Sequence, residues 1–199
     1  MPRGPDEVSD IWRANARMGF SVHSVFIWGT GIGEHGCWIT TISRVIEKSG
    51  IFTCYCMDEV IDKISETFGW IDVLSNYLNS DAGPTYRCGV YLGSVGFRWL
   101  DKIRKLNGTG DKPGEGMLTN KQGIGIENHS KSKVDRYFSQ LKGRIQRAEK
   151  SRWIKTIAEV CAVLEEEASW KSDEQPREMF IPLLPTKDLL HNVISRLLD

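Results

Sequence analysis

Residues 22–58 decide the predicted fold, and they read VHSVFIWGTGIGEHGCWITTISRVIEKSGIFTCYCMD. The apolar run at 25–27 is typical of a strand that is buried on both faces. After the glycine-rich turn GTGIGEHG, apolar residues recur at helical spacing over 39–46, and Gly50 stands where a helix C-cap belongs. Residues 51–57 are rich in aromatic and β-branched side chains, which favours a second strand. The stretch therefore predicts a strand–helix–strand (βαβ) unit.

The rest of the chain continues this alternation of strands and helices. Its apolar patterns predict helices over 60–68 and 70–79, a strand over 86–92, a helix over 97–106, two helices between 134 and 164, a last strand over 179–184, and a final helix over 187–198. Pro182 confines the last strand to a sheet edge or a strand end. Such alternation predicts an α/β fold. We expect a three-layer, flavodoxin-like domain with a mostly parallel 4-5-stranded sheet and a helix-rich C-terminal half.

The domain organisation follows from the same patterns. Residues 1–21 contain prolines and glycine and are expected to be a lead-in segment. Residues 22–199 are expected to form a single α/β domain. Within it, the stretch 107–130 has the composition of a long glycine-rich loop, in which GIGIE at 123–127 can hide a short strand.

Composition restricts the classes of function. The chain has 199 residues, with 26 basic and 26 acidic side chains, so its formal net charge is zero. A dedicated nucleic-acid binder normally carries a basic excess, so the balance argues against one. No apolar run approaches the roughly 20 residues that span a bilayer, and the N-terminal residues do not resemble a secretory signal. Five cysteines, an odd number, favour a reducing compartment, so a cytoplasmic location is expected.

The glycine cluster predicts a cofactor site. Gly31, Gly33 and Gly36 satisfy the spacing G-x-G-x-x-G between the predicted strand and helix, and Asp58 lies 22 residues beyond Gly36. In a dinucleotide fold, such glycines bring backbone amides to a pyrophosphate, and an acid at this distance binds the ribose. Beginning instead at Gly29, the pattern GTGIG resembles motif I of the methyltransferases that use S-adenosylmethionine. NAD and S-adenosylmethionine are thus the alternative cofactors, and these four glycines and Asp58 are the candidate residues.

Each cofactor template departs from the sequence at one position. Ile27 stands where the methyltransferase motif usually carries an acid. Glu34 stands at the third glycine of the frame that begins at Gly29, and a carboxylate there would repel phosphate. A glycine-rich turn with a purely structural role remains the alternative interpretation.

Metal and nucleophile patterns are incomplete. Cys54 and Cys56 share one face of the predicted strand, but zinc needs two more ligands, and no C-x-x-C or H-x-x-x-H is present. His35 and Cys37 can form a nucleophile–base pair in principle. Burial as small apolar residues explains the cysteines more simply. The basic run over 131–155 is either a solvated helix face or a docking surface for an acidic or phosphate-rich partner.

Six segments carry a family resemblance through their order along the chain. They are SVFIWGTG, EHGCWITTISRVIEKSG, IFTCYCMDE, GWIDVLSNYL, YRCGVYLGS and MFIPLLPTKDLLHNVISRLL. In that order they resemble the opening strand and loop, first helix, second strand, tryptophan-bearing helix, third strand, and closing strand with final helix of the TIR/SEFIR superfamily. These are the cytoplasmic signalling domains of Toll-like and interleukin-17 receptors and their adaptors. The serine or aspartate pattern usual after the first strand is replaced here by glycines.

The resemblance implies an intracellular adaptor module that acts by homotypic protein association, without a cofactor. It places the interaction surface on the first loop and first helix, at Glu34, His35, Trp38 and Arg44. The predicted partner is therefore a protein, including a second copy of this chain.

Two weaker resemblances suggest other activities. Some TIR domains cleave NAD with a glutamate, and Glu59 and Glu66 are the candidates near the second predicted strand. The tail LPTKDLLHNVISRLLD is similar to the first helix of an F-box, which implies an adaptor for ubiquitin ligase.

Overall fold

The computed structural model describes residues 19–29, 32–44, 49–68, 75–80, 84–95, 99, 119–124, 133–168 and 175–183. Within these ranges the strands are β1 (Ser21–Ile27), β2 (Cys37–Ser43), β3 (Ser75–Ser80), β4 (Thr119–Ile124) and β5 (Arg177–Leu183). The helices are α1 (Gly50–Phe68), α2 (Pro84–Arg87), α3 (Gly89–Gly93), α4 (Lys133–Glu149) and α5 (Ile157–Ala168).

The main sheet has three strands in the order β1-β2-β5. β1 and β2 are antiparallel, with Phe26 opposite Trp38, whereas β2 and β5 are parallel, with Trp38 opposite Glu178. β3 and β4 form a separate parallel pair. The predicted flavodoxin-like domain with a mostly parallel sheet of four or five strands is therefore wrong, because the sheet that the described residues form is three-stranded and mixed.

The predicted βαβ unit is a hairpin followed by a helix. The predicted helix over 39–46 overlaps β2, whose sequence CWITTIS is dominated by aromatic and β-branched residues. All seven residues of β2 are buried, so the strand lacks the polar face that would have revealed a period of two. The predicted strand over 51–57 is the first half of α1, in which nineteen residues form one continuous helix.

Local hydrogen bonds explain where the long helices begin. The backbone N–H of Phe52 donates to the Ser49 hydroxyl over 3.2 Å, so Ser49 caps the start of α1, and Gly50 is its first residue rather than a C-cap. At α5, the Glu159 N–H donates to the Thr156 hydroxyl over 3.1 Å, and the Thr156 N–H donates to the Glu159 carboxylate over 2.9 Å. This reciprocal pair is a capping box.

Two further elements differ from the prediction. The helix predicted over 70–79 overlaps β3, and the strand predicted over 86–92 is replaced by the short helices α2 and α3. β4 lies inside the stretch predicted as a loop and overlaps the short strand expected at 123–127. Most of the lead-in segment, most of the helix over 97–106 and the final helix over 187–198 lie outside the described residues.

The C-terminal prediction is confirmed where the structure describes it. α4 and α5 occupy the two predicted helical stretches between 134 and 164, and β5 covers most of the predicted last strand. Pro182 lies on β5, which is an edge of the three-stranded sheet.

The core forms on both faces of the sheet. On one face, Trp38 and Ile42 of β2 and Phe180 of β5 pack against α4 and α5. On the other face, Ile39 of β2 packs against Val60 of α1. Successive residues of a strand point to opposite faces, so α1 lies across the sheet from α4 and α5. The described part is thus a helix–sheet–helix sandwich.

Candidate functional site

The glycine-rich stretch forms the loop of the β1–β2 hairpin. The Ile32 N–H donates to the Gly29 carbonyl and the Gly36 N–H to the Gly33 carbonyl, each over 3.2 Å. Gly33 and Gly36 have φ values of 105° and 75°, which side chains rarely adopt. A Cβ atom on Gly36 would also lie 2.7 Å from the Ile27 carbonyl oxygen and from the Phe26 ring. These glycines therefore have a structural reason to be present, which is a tight return from β1 into β2.

The predicted cofactor geometry is absent from the described part of the chain. The loop leads into a strand, so no helix N-terminus directs its amides at a phosphate. Asp58 lies within α1 with 1% of its surface exposed, and its carboxylate accepts a hydrogen bond from the Trp99 Nε1–H over 3.1 Å. Gly31 lies outside the described residues. The glycines and Asp58 thus do not form a dinucleotide site of the predicted kind.

The predicted interaction residues occupy three different environments. Glu34 and His35 are exposed in the hairpin loop. Trp38 is a core residue. Arg44 is exposed, but it follows the far end of β2, and its Nη2 donates to the Lys155 carbonyl over 2.7 Å. A strand of seven residues spans roughly 20 Å, so Arg44 lies well away from Glu34 and His35.

A series of aromatic rings connects the hairpin end with the core. Trp28, which is 67% exposed, stacks on Phe26 with ring centroids 5.7 Å apart. Phe26 contacts Trp38 at 4.8 Å, and Trp38 stacks on Tyr137 of α4 at 4.0 Å. The Lys133 ammonium lies 5.0 Å from the centre of the Phe26 ring, a cation–π arrangement. We call Phe26, Trp28 and Lys133 the hairpin-end surface.

Trp28 was not among the predicted site residues. Its position directly before Gly29 in SVFIWGTG is the sequence signal, because an aromatic residue next to a hairpin turn lies at the end of the sheet. The predicted βαβ unit placed a helix after this loop, so Trp28 was not expected at the end of a hairpin.

A buried polar network adjoins the aromatic series at Tyr137. The Arg144 guanidinium of α4 forms two hydrogen bonds with the Glu178 carboxylate of β5, and its Nε lies 3.7 Å from Glu167. The Tyr137 hydroxyl lies 3.4 Å from the Thr40 hydroxyl, and burial raises the pKa of Tyr137. These contacts fix α4 on the sheet. Beside them is a shallow depression of about 370 Å³ with Gln140, Gly143 and Arg147 in its lining.

Four of the five cysteines are buried, and Cys88 is partly exposed. All five are free. Burial raises the pKa of Cys37 to about 11 and that of Cys56 to about 12, so both are protonated at neutral pH. Cys37 is fully buried whereas His35 is exposed, so the two do not form a nucleophile–base pair. Cys54 and Cys56 lie on α1, and no three His, Cys, Asp or Glu side chains of the described ranges are grouped to hold a metal ion.

Comparisons with known proteins do not identify the chain. No family model, no curated protein and no solved structure matches the chain. Among the described residues, none of the helices combines the length and the apolar composition that crossing a membrane requires.

Proposed function

We propose that this chain is a protein-interaction module that acts by homotypic association, with the hairpin-end surface as its contact site. The observation that carries the proposal is the exposed Trp28 ring, which is held in place by its stack on Phe26. A large aromatic side chain that is already ordered loses little conformational entropy when a partner covers it. Tryptophan is also among the residues that are enriched in interface hot spots.

The position of the surface supports the same proposal. Trp28 and Phe26 lie at the end of the sheet, and Lys133 lies at the start of α4. Phe26 is tied through Trp38 to Tyr137 in the core, so the surface rests on rigid elements. Preorganised contact residues favour binding, because less ordering is required at association. Membership of the TIR/SEFIR superfamily stays a prediction, and so does an intracellular location.

No observation favours the enzymatic alternatives. The dinucleotide and methyltransferase interpretations both need a glycine loop followed by a helix and an acid that can reach a ribose. Here the loop is followed by β2, and Asp58 is buried in α1. Titration calorimetry with NAD and with S-adenosylmethionine tests these alternatives directly, and we expect no heat of binding for either.

The proposal is tested by comparing two exposed tryptophans. Sedimentation equilibrium should give a self-association constant for the wild-type chain that falls roughly tenfold or more in Trp28→Ala. Trp153→Ala is the matched control, because Trp153 is 75% exposed but lies between α4 and α5. It should leave self-association unchanged. A wild-type chain that stays monomeric, or equal effects of the two substitutions, contradicts the proposal.

A further inference from the structure

β1 is an edge strand of the three-stranded sheet. It pairs with β2 on one side, and in the part of the chain that the structure describes no strand pairs with its other side. All seven residues of β2 are buried, whereas all seven of β1 are only half-buried. Apolar side chains of β1 nevertheless pack into the core on both faces of the sheet. The remaining exposure of β1 therefore comes from its outer edge.

Two side-chain contacts show which backbone groups of β1 point to that edge. The Thr41 hydroxyl donates over 3.3 Å to the carbonyl of His23, the residue opposite it, so this carbonyl points toward β2. The hydroxyls of the next opposed pair, Ser24 and Thr40, lie 2.9 Å apart. In an antiparallel ladder, pairs that exchange backbone hydrogen bonds alternate with pairs that do not, and the side chains of the latter are closer together. The N–H and C=O groups of Ser24 therefore point away from β2.

The outer edge of β1 is complementary to itself. By the same alternation, Val22 and Phe26 also direct their N–H and C=O groups outward. When a second β1 lies antiparallel with the two Ser24 residues opposite each other, Val22 of each copy faces Phe26 of the other, and every outward N–H meets a carbonyl. β1 contains no Lys, Arg, Asp, Glu or Pro. Pairing with itself therefore brings no like charges together and lacks no donor.

The opposite edge of the sheet has a different composition. Pro182 of β5 has no N–H to donate, and Arg177 and Glu178 place charged residues on the same strand. Proline and charge are features with which natural sheets protect their edges against another strand, and β1 has neither. The contrast identifies β1 as the edge to which an extended strand can be added.

We infer that two copies of this chain pair along β1 in an antiparallel, isologous contact with Ser24 at the two-fold axis, so that their sheets become continuous. The second copy is assigned as the occupant because this register uses all the outward N–H and C=O groups of both strands. The inference rests on the proposed function and adds the partner surface and the symmetry. An isologous contact is closed, so assembly stops at a dimer.

The same register brings the hairpin-end surface into the contact. Trp28 lies four residues after Ser24 and Phe20 four residues before it, so each Trp28 lies opposite Phe20 of the second copy. Trp28 stacks on Phe26, and Phe20 packs against the core cluster that also includes Phe26, which places both rings on one face of the sheet. Aromatic pairs across neighbouring strands are stabilising. The exposed Trp28 ring is thus covered when the strands pair.

Amide hydrogen exchange, followed by NMR at several protein concentrations, tests the contact residue by residue. The amides of Val22, Ser24 and Phe26 should exchange fast in dilute samples and more slowly as the dimer forms. The amides of His23 and Val25 face β2 and should be protected at every concentration. Slow exchange of the Ser24 amide in the monomer would mean that the chain covers its own edge. That result, or fast exchange in the associated sample, overturns the inference.

Two substitutions at Ser24 separate the role of its N–H from that of its hydroxyl. Ser24→Pro removes the outward N–H, and it should weaken dimerisation in sedimentation equilibrium roughly tenfold or more, because proline is tolerated where the N–H points away from the sheet. Ser24→Ala is the matched control, since it also loses the contact with the Thr40 hydroxyl but keeps the N–H. It should dimerise as the wild type does. Equal dimerisation of the two variants overturns the inference.

The outcomes separate this inference from the proposed function. A wild-type chain that is monomeric at every concentration overturns both. If Trp28→Ala lowers self-association but the Ser24 amide exchanges equally fast in dilute and concentrated samples, homotypic association stands and the β1 contact is wrong. Assemblies larger than a dimer also overturn the isologous arrangement. Circular dichroism melting verifies that the Ser24 variants are folded, and the exchange measurement on the wild type decides the inference if Ser24→Pro is not.

Discussion

The indole ring of Trp38 and the phenol ring of Tyr137 lie parallel, with centroids 4.0 Å and planes 7° apart. The pair joins the central strand β2 to α4, across a distance of 99 residues in the chain. It is also the inner end of the aromatic series that begins at Trp28. The proposed contact surface and the core of the sheet are therefore parts of one packed unit.

Removing this stack should lower stability strongly. Trp38→Ala leaves a cavity beside Phe26 and Tyr137, so we expect the free energy of unfolding to fall by about 3–5 kcal/mol. Tyr137→Phe keeps the stacked ring and loses only the contact with the Thr40 hydroxyl, so it should cost about 1 kcal/mol. Urea unfolding followed by tryptophan fluorescence measures both. Equal losses for the two variants would show that the hydroxyl contact, and not the ring stack, holds α4 in place.

Removing one partner of the ion pair between Arg144 and Glu178 should destabilise the fold more than removing both partners. Neither side chain is substantially exposed, so Arg144→Met leaves a buried carboxylate without its main counter-ion. We expect a loss of about 3–5 kcal/mol in the free energy of unfolding. In Arg144→Met/Glu178→Leu both charges are gone, and at least half of the loss should be recovered. A double variant as unstable as the single one would contradict this account.

The Asp58 carboxylate should contribute to the stability of the fold and not to self-association. Trp99→Phe removes the indole N–H that donates to it over 3.1 Å and keeps an aromatic ring in the buried cluster that contains Trp99. The expected loss is about 1–3 kcal/mol in the free energy of unfolding, with no effect on self-association. Thermal denaturation and sedimentation equilibrium on the same preparation check both parts. Weaker self-association at unchanged stability would contradict a purely structural role.

His23 should make the protein less stable in mild acid. Its Nδ1 is buried without a hydrogen-bond partner among the described residues, and burial lowers its pKa from 6.5 to about 4. The unfolded chain therefore binds a proton below pH 6.5 that the folded chain does not bind until about pH 4, so stability falls as the pH falls through this window. Between pH 7 and pH 5 the wild type should lose about 2 kcal/mol more than His23→Gln. Urea unfolding at the two pH values measures the difference. If the wild type and His23→Gln lose the same free energy of unfolding, His23 is protonated in the folded state.

The sequence predicted the helices α4 and α5 better than it predicted β2 and α1. The apolar stripes of α4 and α5 face one side only, so helical periodicity is visible in the sequence. β2 is buried on both faces, and its spaced isoleucines imitate a helical pattern by coincidence. The start of α1 is equally ambiguous, because it is apolar and rich in β-branched and aromatic residues until Asp58. Tertiary packing decides such segments, and a single sequence does not display it.

None of the three residues of the hairpin-end surface was among the predicted interaction residues. Glu34 and His35 do lie exposed in the first loop, because a turn rich in glycine must be at the surface. Trp38 and Arg44 were assigned to the same surface on the assumption that a helix follows the loop. In a strand they lie in the core and near the opposite end of the sheet. Trp28 and Lys133 are brought together by the packing of α4, a contact between residues far apart in the chain.

The weight-average mass in solution, measured by light scattering across a range of protein concentrations at low ionic strength, tests the central claim most directly. If the chain associates with itself, the wild-type mass should rise with concentration above the monomer value of 22.6 kDa. Trp28→Ala should stay near the monomer value over the same range, while Trp153→Ala should follow the wild type. A wild-type mass of 22.6 kDa at every concentration would contradict the claim that this chain acts by homotypic association.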